Sequence, residues 1–212
     1  MSIGKVFFKT KLYNLKEAIK ELRYFKWSNF FFCLIYAFIN PYRVSKNYLR
    51  KQRAENIHIY GETPLSSFAK IAAICPITQQ DRVLELGAGR GKLCFWLSSV
   101  IGCETVGVEQ IPFFVKIAQS LIRLCNLKRV HIIKADLLTF KSADFSIIYL
   151  YGTALGDDQI RQWIERLGGF KGKIITISYP LAAYRPDLFD TLNTLKISFP
   201  WGETLAYIQR LK

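Results

Sequence analysis

Histidine and methionine are nearly absent from this chain, two and one in 212 residues. His58 and His131 stand apart and no cysteine pair has zinc-ligand spacing, so a metal centre is not expected. The five cysteines, Cys33, Cys75, Cys94, Cys103 and Cys125, are odd in number and scattered through apolar runs. That excludes a disulfide framework and points to reduced thiols in a cytoplasmic setting. Acid is scarce too: 16 Asp and Glu face 30 Lys and Arg, a net charge of +14. The first 60 residues set twelve basic side chains against Glu17, Glu21 and Glu55, so +9 of that excess lies at one end. Such asymmetry selects an anionic partner, either lipid headgroups or nucleic acid. Internal repeats and low-complexity segments are missing. The apolar run Trp27 to Ile39 has thirteen residues, short of the ~17 to 25 that a bilayer-spanning helix needs. No cleavage-site pattern follows it, which argues against a signal peptide.

What is present divides into an arm, residues 1–55, and a domain, residues 56–212. In the arm, Phe8, Leu12, Leu15, Ile19 and Leu22 recur at helical steps with Lys9, Lys11, Lys16, Lys20 and Arg23 largely off that stripe. Arg23 and Lys26 on one side of the apolar run, and Arg43, Lys46, Arg50, Lys51 and Arg53 on the other, resemble anchors at a headgroup layer. The segment 27–39 is therefore expected either to meet the inner face of a membrane as a peripheral or monotopic contact, or to fold over the domain or a dimer partner.

The domain is organised around Arg82 to Ser98: an apolar strand, a glycine turn with Gly87, Gly89 and Gly91, and the opening of a helix. Glycines at such a turn let the backbone take positive φ and approach a ligand. The dinucleotide fingerprint would need its third glycine at Lys92, so a pyrophosphate reader is disfavoured. Glu109 ends the next strand-like run, where an acid meets ribose hydroxyls in open α/β sheets, and Asp136 with Leu137 follows a third strand, Val130 to Lys134. Three strand ends thus converge on one crevice.

Upstream, Thr63-Pro64 has the residue types of a helix N-cap and first turn, with Leu65, Phe68, Ala72 and Cys75 as the buried stripe. Downstream, Pro112 opens a helix, Phe145 to Leu150 is a central parallel strand, and Ile160, Trp163, Ile164 and Leu167 mark another helix. Lys173 to Ser178 is a fifth strand, and Thr194–Phe199 with Glu203–Arg210 reads as an antiparallel hairpin about Pro200-Trp201-Gly202. The expected fold is α/β, a Rossmann-like seven-stranded sheet with helices on both faces, a C-terminal hairpin and an N-terminal helical arm.

These elements in this order resemble class I S-adenosylmethionine (SAM) methyltransferases. The resemblance implies SAM as cofactor, with Tyr60, Thr63, Glu85, Gly87, Ala88, Gly89, Gly91, Glu109, Gln110, Asp136 and Leu137 around it. Glu85 would orient the methionine ammonium, Glu109 bind the ribose and Asp136 the adenine amine. From Tyr60 onward the chain is similar to small protein-lysine methyltransferases of the archaeal and mitochondrial ATP-synthase-c-subunit type. That likeness rests on Tyr60-Gly-Glu-Thr63-Pro64, Ile148-Tyr149-Leu150-Tyr151 and Ser178-Tyr179-Pro180 through Arg185-Pro186. Glu85 and Arg90 depart from that family's D-L-G-x-G-D-G, and Gly152 from its proline.

The methyl acceptor is expected at the loop after strand four, where Leu150-Tyr-Gly-Thr153 lacks the N/D/S-P-P-Y/F signature of base amino-methyltransferases. A protein lysine is the acceptor this resemblance implies, with Tyr149 and Tyr151 lining its channel or serving as core packing, and Tyr60 alongside. Glu62 and Asp157 lie where a base could sit, but read as solvated charges. The competing readings are a small-molecule or lipid methyltransferase at a membrane, an RNA methyltransferase using the basic arm, and a SAM-binding scaffold without catalysis.

Overall fold

A computed structural model describes residues 31–212, apart from 32, 33, 37 and 153. The amphipathic pattern from Phe8 to Leu22, together with Trp27 and Cys33, lies outside the described residues. Helix α1, Pro41–Lys51, starts where the Asn40 side-chain oxygen accepts from the Tyr42 and Arg43 amides at 2.9 and 3.2 Å. Pro41 has a fixed φ suited to the first turn, and Arg50 and Lys51 oppose the dipole at the other end. The Asn-Pro pair that closes the apolar run therefore opens this helix. It turns Ser45 inward and leaves Arg43, Asn47, Arg50 and Lys51 in solvent.

Helix α2, Leu65–Ile74, leads into strand β1, Arg82–Leu86. Then follow α3 (Lys92–Trp96), continued by a π-helical turn at Leu97–Ile101, and β2 (Glu104–Glu109). Next are α4 (Pro112–Leu124), β3 (Val130–Lys134), β4 (Ile147–Leu150), α5 (Asp157–Glu165) and β5 (Lys173–Ile177). A short 3₁₀ turn, Leu181–Ala183, precedes the hairpin β6 (Phe189–Phe199) and β7 (Gly202–Leu211). The seven strands lie in the order β3-β2-β1-β4-β5-β7-β6. Strands β1 to β5 are parallel and β7 is antiparallel to both β5 and β6. This is the expected Rossmann-like sheet, with a hairpin longer than its alternation suggested and a β4 that begins at Ile147 instead of Phe145.

The strand period of two separates the cores. Val83, Ile147 and Tyr149 face one side with Phe68 and Ile71 of α2 and Leu93 and Trp96 of α3. Leu84, Leu86, Ile148 and Leu150 face the other, under Ile160, Trp163 and Ile164 of α5. Each fully buried aliphatic or aromatic side chain of this kind contributes about 1.5–3 kcal/mol. Gly107 in β2 is required by packing: a Cβ there would lie 2.6 Å from Ile132 Cδ1 and 2.7 Å from Ala88 Cβ. Its absence lets the glycine turn and α3 settle onto the sheet.

Thr63 does not cap α2. Pro64 holds the N-cap position without a side-chain bond, and the Thr63 hydroxyl is engaged by the Tyr149 hydroxyl. Ahead of α1, Phe31, Ile35 and Tyr36 pack against a third cluster built on Phe95, Val115, Ala118 and Ile132. For these three residues the contact is with the domain itself, while Leu34 and Phe38 remain 48% and 86% exposed. Among the described residues no helix is long and apolar enough to cross a membrane.

Candidate functional site

The carboxyl ends of β1, β2, β3 and β4 open onto one cleft of about 440 Å³. Gly87 after β1, Glu109 and Gln110 after β2, and Asp136 and Leu137 after β3 all line it, as the spacing required. Leu86, Val108, Ile111, Leu138 and Leu150 give it apolar walls, and Tyr151 and Gly152 close the β4 end. Helix α1, on the arm side of the 55/56 division, contributes Ser45, Tyr48 and Leu49 to the same wall.

The glycine turn is fastened from behind. The Gly87 and Ala88 amides both donate to the Val108 carbonyl at 2.9 Å. Glu109 takes the Gly89 amide on one carboxylate oxygen and the Ile111 amide on the other, each at 2.7 Å. Burial pushes the Glu109 pKa up, with the Ile111, Gly89 and Gln110 amides opposing it. A carboxylate has about four acceptor positions, so Glu109 fixes the turn and retains capacity to accept from a ligand hydroxyl. At Gly89, φ is +54° and a Cβ would approach the Tyr60 hydroxyl to 2.9 Å. Gly91, at φ +79°, caps α3 and packs against Ile132 and Phe95 instead of lining the cleft.

Beside the turn lies a smaller cavity of about 30 Å³, walled by Glu62, Thr63, Glu85, Ala88, Lys92, Tyr149 and Tyr151 among others. Glu85 points there because odd positions of β1 face α3; the Cys94 thiol donates to its Oε2 at 3.0 Å. Burial raises its pKa to about 8, against the smaller opposing effect of that bond. Such a carboxyl is uncharged until a cation or rising pH ionises it. Tyr149 sits opposite Glu85 in the register, 5.1 Å from the Phe68 ring centroid, with its hydroxyl on Thr63. It is the floor of the cavity. Asp136 is exposed at the cleft rim, and its Oδ1 accepts the Leu138 amide at 2.9 Å.

Glu62 is not a solvated charge. It pairs with Arg90, whose Nε donates to Oε1 at 2.5 Å while Nη2 reaches Oε2. Burial opposes ionisation of Glu62, but the guanidinium outweighs it and holds the pKa below the usual carboxylate value. Asp157 is exposed and accepts the Tyr184 hydroxyl at 2.8 Å. Trp201 is the residue sequence reasoning missed, absorbed there into a turn. Its ring stacks on Phe199 at a centroid distance of 5.1 Å, and Phe199 in turn lies 5.2 Å from the Tyr151 ring. The signal available was an aromatic pair, Phe199 and Trp201, flanking a hairpin turn.

The carboxylates at two strand ends, the apolar slot between them and the turn that only a missing Cβ permits suit an adenosyl group with an amino-acid tail. Comparisons agree at the level of fold. An RNA methyltransferase from Salinibacter ruber, in complex with S-adenosyl-L-homocysteine, superposes with a TM-score of 0.58 at 17% identity, over 71% of this chain and 93% of that one. TrmN from Thermus thermophilus gives 0.58 at 12% identity over 68% and 48%. The histone-lysine N-methyltransferase, H3 lysine-79 specific, of Dictyostelium discoideum is 21% identical over 89% of this chain, which spans only 11% of that protein. The family model of histone methylation protein DOT1 matches residues 41–146, from the start of α1 to the edge of β4. The chain thus belongs to the DOT1 family of class I SAM-dependent methyltransferases.

Proposed function

We propose that this protein transfers a methyl group from SAM to the side-chain amine of a protein lysine. One observation carries the cofactor half: Gly87, Glu109 and Asp136, from three separate strand ends, line a single cleft. Glu109 would hold the ribose, Asp136 and the slot between Ile111 and Leu137 the adenine, and Glu85 with the Gly87–Gly89 turn the amino-acid end. SAM supplies a methyl already activated on sulfonium, so the protein's task is alignment and exclusion of water.

The acceptor half is proposed on Tyr151, which lines both cavities, and on exposed Trp201 beyond it, with buried Phe199 packed between the two rings; the faces of Tyr151 and Trp201 suit a cationic amine. The lysine must lose its proton before it attacks. Burial raises the Tyr149 and Tyr151 pKa values, so both phenols stay protonated near neutrality and serve as hydrogen-bond partners. The adjoining cavity has room for one water among Glu62, Glu85 and Thr63, a path for the proton. The Dictyostelium relative and the ATP-synthase-c-subunit-type resemblance both concern protein lysine, which supports this acceptor class over the alternatives.

The test is incubation of lysate proteins with the enzyme and radiolabelled SAM. Protease-sensitive label recovered as methyl-lysine after hydrolysis supports the reading. Label in the organic extract or sensitive to nuclease replaces lysine with a lipid or RNA, and cofactor binding without transfer leaves a scaffold.

We also propose a peripheral contact with the inner face of an anionic membrane. Its support is local: exposed Leu34, Phe38 and Tyr42 adjoin the outward Arg43, Arg50 and Lys51. The protein should float with anionic but not neutral vesicles, and replacing Leu34 and Phe38 with serine should weaken that. Equal sedimentation with both vesicle types would end this part of the reading.

A further inference from the structure

Between α1 and α2 the chain crosses the glycine turn as a strap, residues 57–64, with no helix or strand of its own. It carries Tyr60, Gly61, Glu62 and Thr63 to the two cavities, so something must fix its height and register. Arg90 stands in the turn directly below. Its guanidinium grips both Glu62 oxygens in the side-by-side geometry that arginine, unlike lysine, can offer a carboxylate. The Tyr60 hydroxyl donates to the same carboxylate, and Tyr36 covers the guanidinium, its ring centroid 4.6 Å from Arg90 Cζ. The Tyr60 ring is wedged between Tyr42 and Phe114, with centroids 5.4 Å from each. The side chains of Arg90 and Glu62 are only 13% and 20% exposed, so neither charge has ready recourse to water if the other is removed.

We infer that Arg90 and Glu62 form a clasp that seats the strap on the glycine turn, making Arg90 a positioning residue for the amino-acid end of the cofactor. The inference rests on the cofactor site proposed above. Two consequences separate it from a merely stabilising ion pair. The clasp joins the glycine turn to the segment before α1 through Tyr36, so cofactor affinity depends on a residue outside the cleft. It also depends on the arginine–carboxylate pair being present at this spot, and not on which of the two positions carries the arginine.

Calorimetry with S-adenosylhomocysteine on the full chain tests both. Arg90→Gln and Glu62→Gln should each weaken binding about tenfold or more, equivalent to ~1.4 kcal/mol. Arg90→Lys should retain part of the affinity, and the exchanged pair Arg90→Glu with Glu62→Arg should recover most of what either single reversal loses. In ligand-free protein, trypsin should cut faster after Lys51 and Arg53 in Arg90→Gln than in the parent, because the strap is released. If Arg90→Gln does not fold, Arg90→Lys and the exchanged pair carry the test. Undiminished binding by Arg90→Gln, or single losses that the exchange does not repair, overturns the clasp. Failure of the parent protein to bind would instead overturn the cofactor site.

Discussion

The two halves of the site are built on different principles. The cofactor half is local and rigid: three parallel strands end side by side, and backbone amides tie their tips, Gly87 and Ala88 to the Val108 carbonyl, Ala135 to the Glu109 carbonyl, and Gly89 and Ile111 to the Glu109 carboxylate. The acceptor half is assembled from segments far apart in sequence, the strap at Gly61, the loop at Tyr151 and the hairpin turn at Trp201, joined only by side chains. A tied cluster should fail as a unit when one tie is cut. A side-chain mosaic should lose function piece by piece while the fold persists.

The largest effect is therefore expected at Glu109. Glu109→Ala leaves two buried amides without acceptors, each costing about 1–3 kcal/mol, and removes the acid assigned to the ribose. Thermal unfolding should show a clear drop in Tm, and calorimetry should show no measurable cofactor binding. A variant with parental Tm and affinity would break the contrast at its strongest point. Next in size is a pH effect at Glu85, whose folded pKa of about 8 lies above the ordinary 4.5. A raised carboxyl stabilises the fold fully below its unfolded pKa, and that contribution is lost as pH rises through the folded value. In ligand-free protein the loss should amount to a few kcal/mol between about pH 5 and pH 8. Glu109 acts in the same sense, while Glu62, depressed by Arg90, acts oppositely and only at acid pH. Glu85→Gln should flatten the fall in Tm across that window; an unchanged slope would show that Glu85 is already ionised.

The same contrast governs how much could be read before any coordinates. The cofactor half was legible because its determinants are short-range: glycines two apart, an acid closing a strand, another acid one helix later. Gly87, Glu109 and Asp136 line the same cleft and Gly89 the small cavity beside it, while Gly91, at φ +79°, serves the helix cap. The strand and helix order was equally legible, since buried runs such as Ile147 to Leu150 and the stripe Ile160, Trp163, Ile164 announce both faces of a parallel sheet. The pairings made by the strap were not. Thr63 has the chemistry of a cap, yet its hydroxyl goes to Tyr149, 86 residues away, and Glu62 reads as a surface acid until Arg90 is found beneath it. No local pattern encodes either pairing. They exist because the sheet brings the strap, the turn and β4 together.

On the acceptor side, Trp201→Ala removes the stack on Phe199, beside Tyr151, from a position that is 62% exposed. Little core is lost, so Tm should move by about a degree or two, and S-adenosylhomocysteine affinity should hold. Transfer should suffer instead: kcat/KM for the protein acceptor is expected to fall about tenfold, ~1.4 kcal/mol of transition-state binding, chiefly through KM. Weakened cofactor affinity in this variant would mean that the two halves are not separable.

The smallest effect, and the finest test of the division, belongs to Tyr149. Its ring belongs to the core beside Phe68, and its hydroxyl reaches only as far as Thr63 at the floor of the small cavity. Tyr149→Phe keeps the ring and its packing and removes that single bond, so a stability loss of about 1 kcal/mol is expected. If Tyr149 is floor and not channel wall, kcat and the acceptor KM should each stay within about threefold of the parent. Tyr151→Phe, made in parallel, removes a hydroxyl of the same chemistry from a residue that lines both cavities, and should cost more activity and less stability. A reversed order, with Tyr149→Phe the poorer enzyme and the more stable protein, would place the lysine against β4 itself and move the boundary between the halves inward by one turn of the strand pleat.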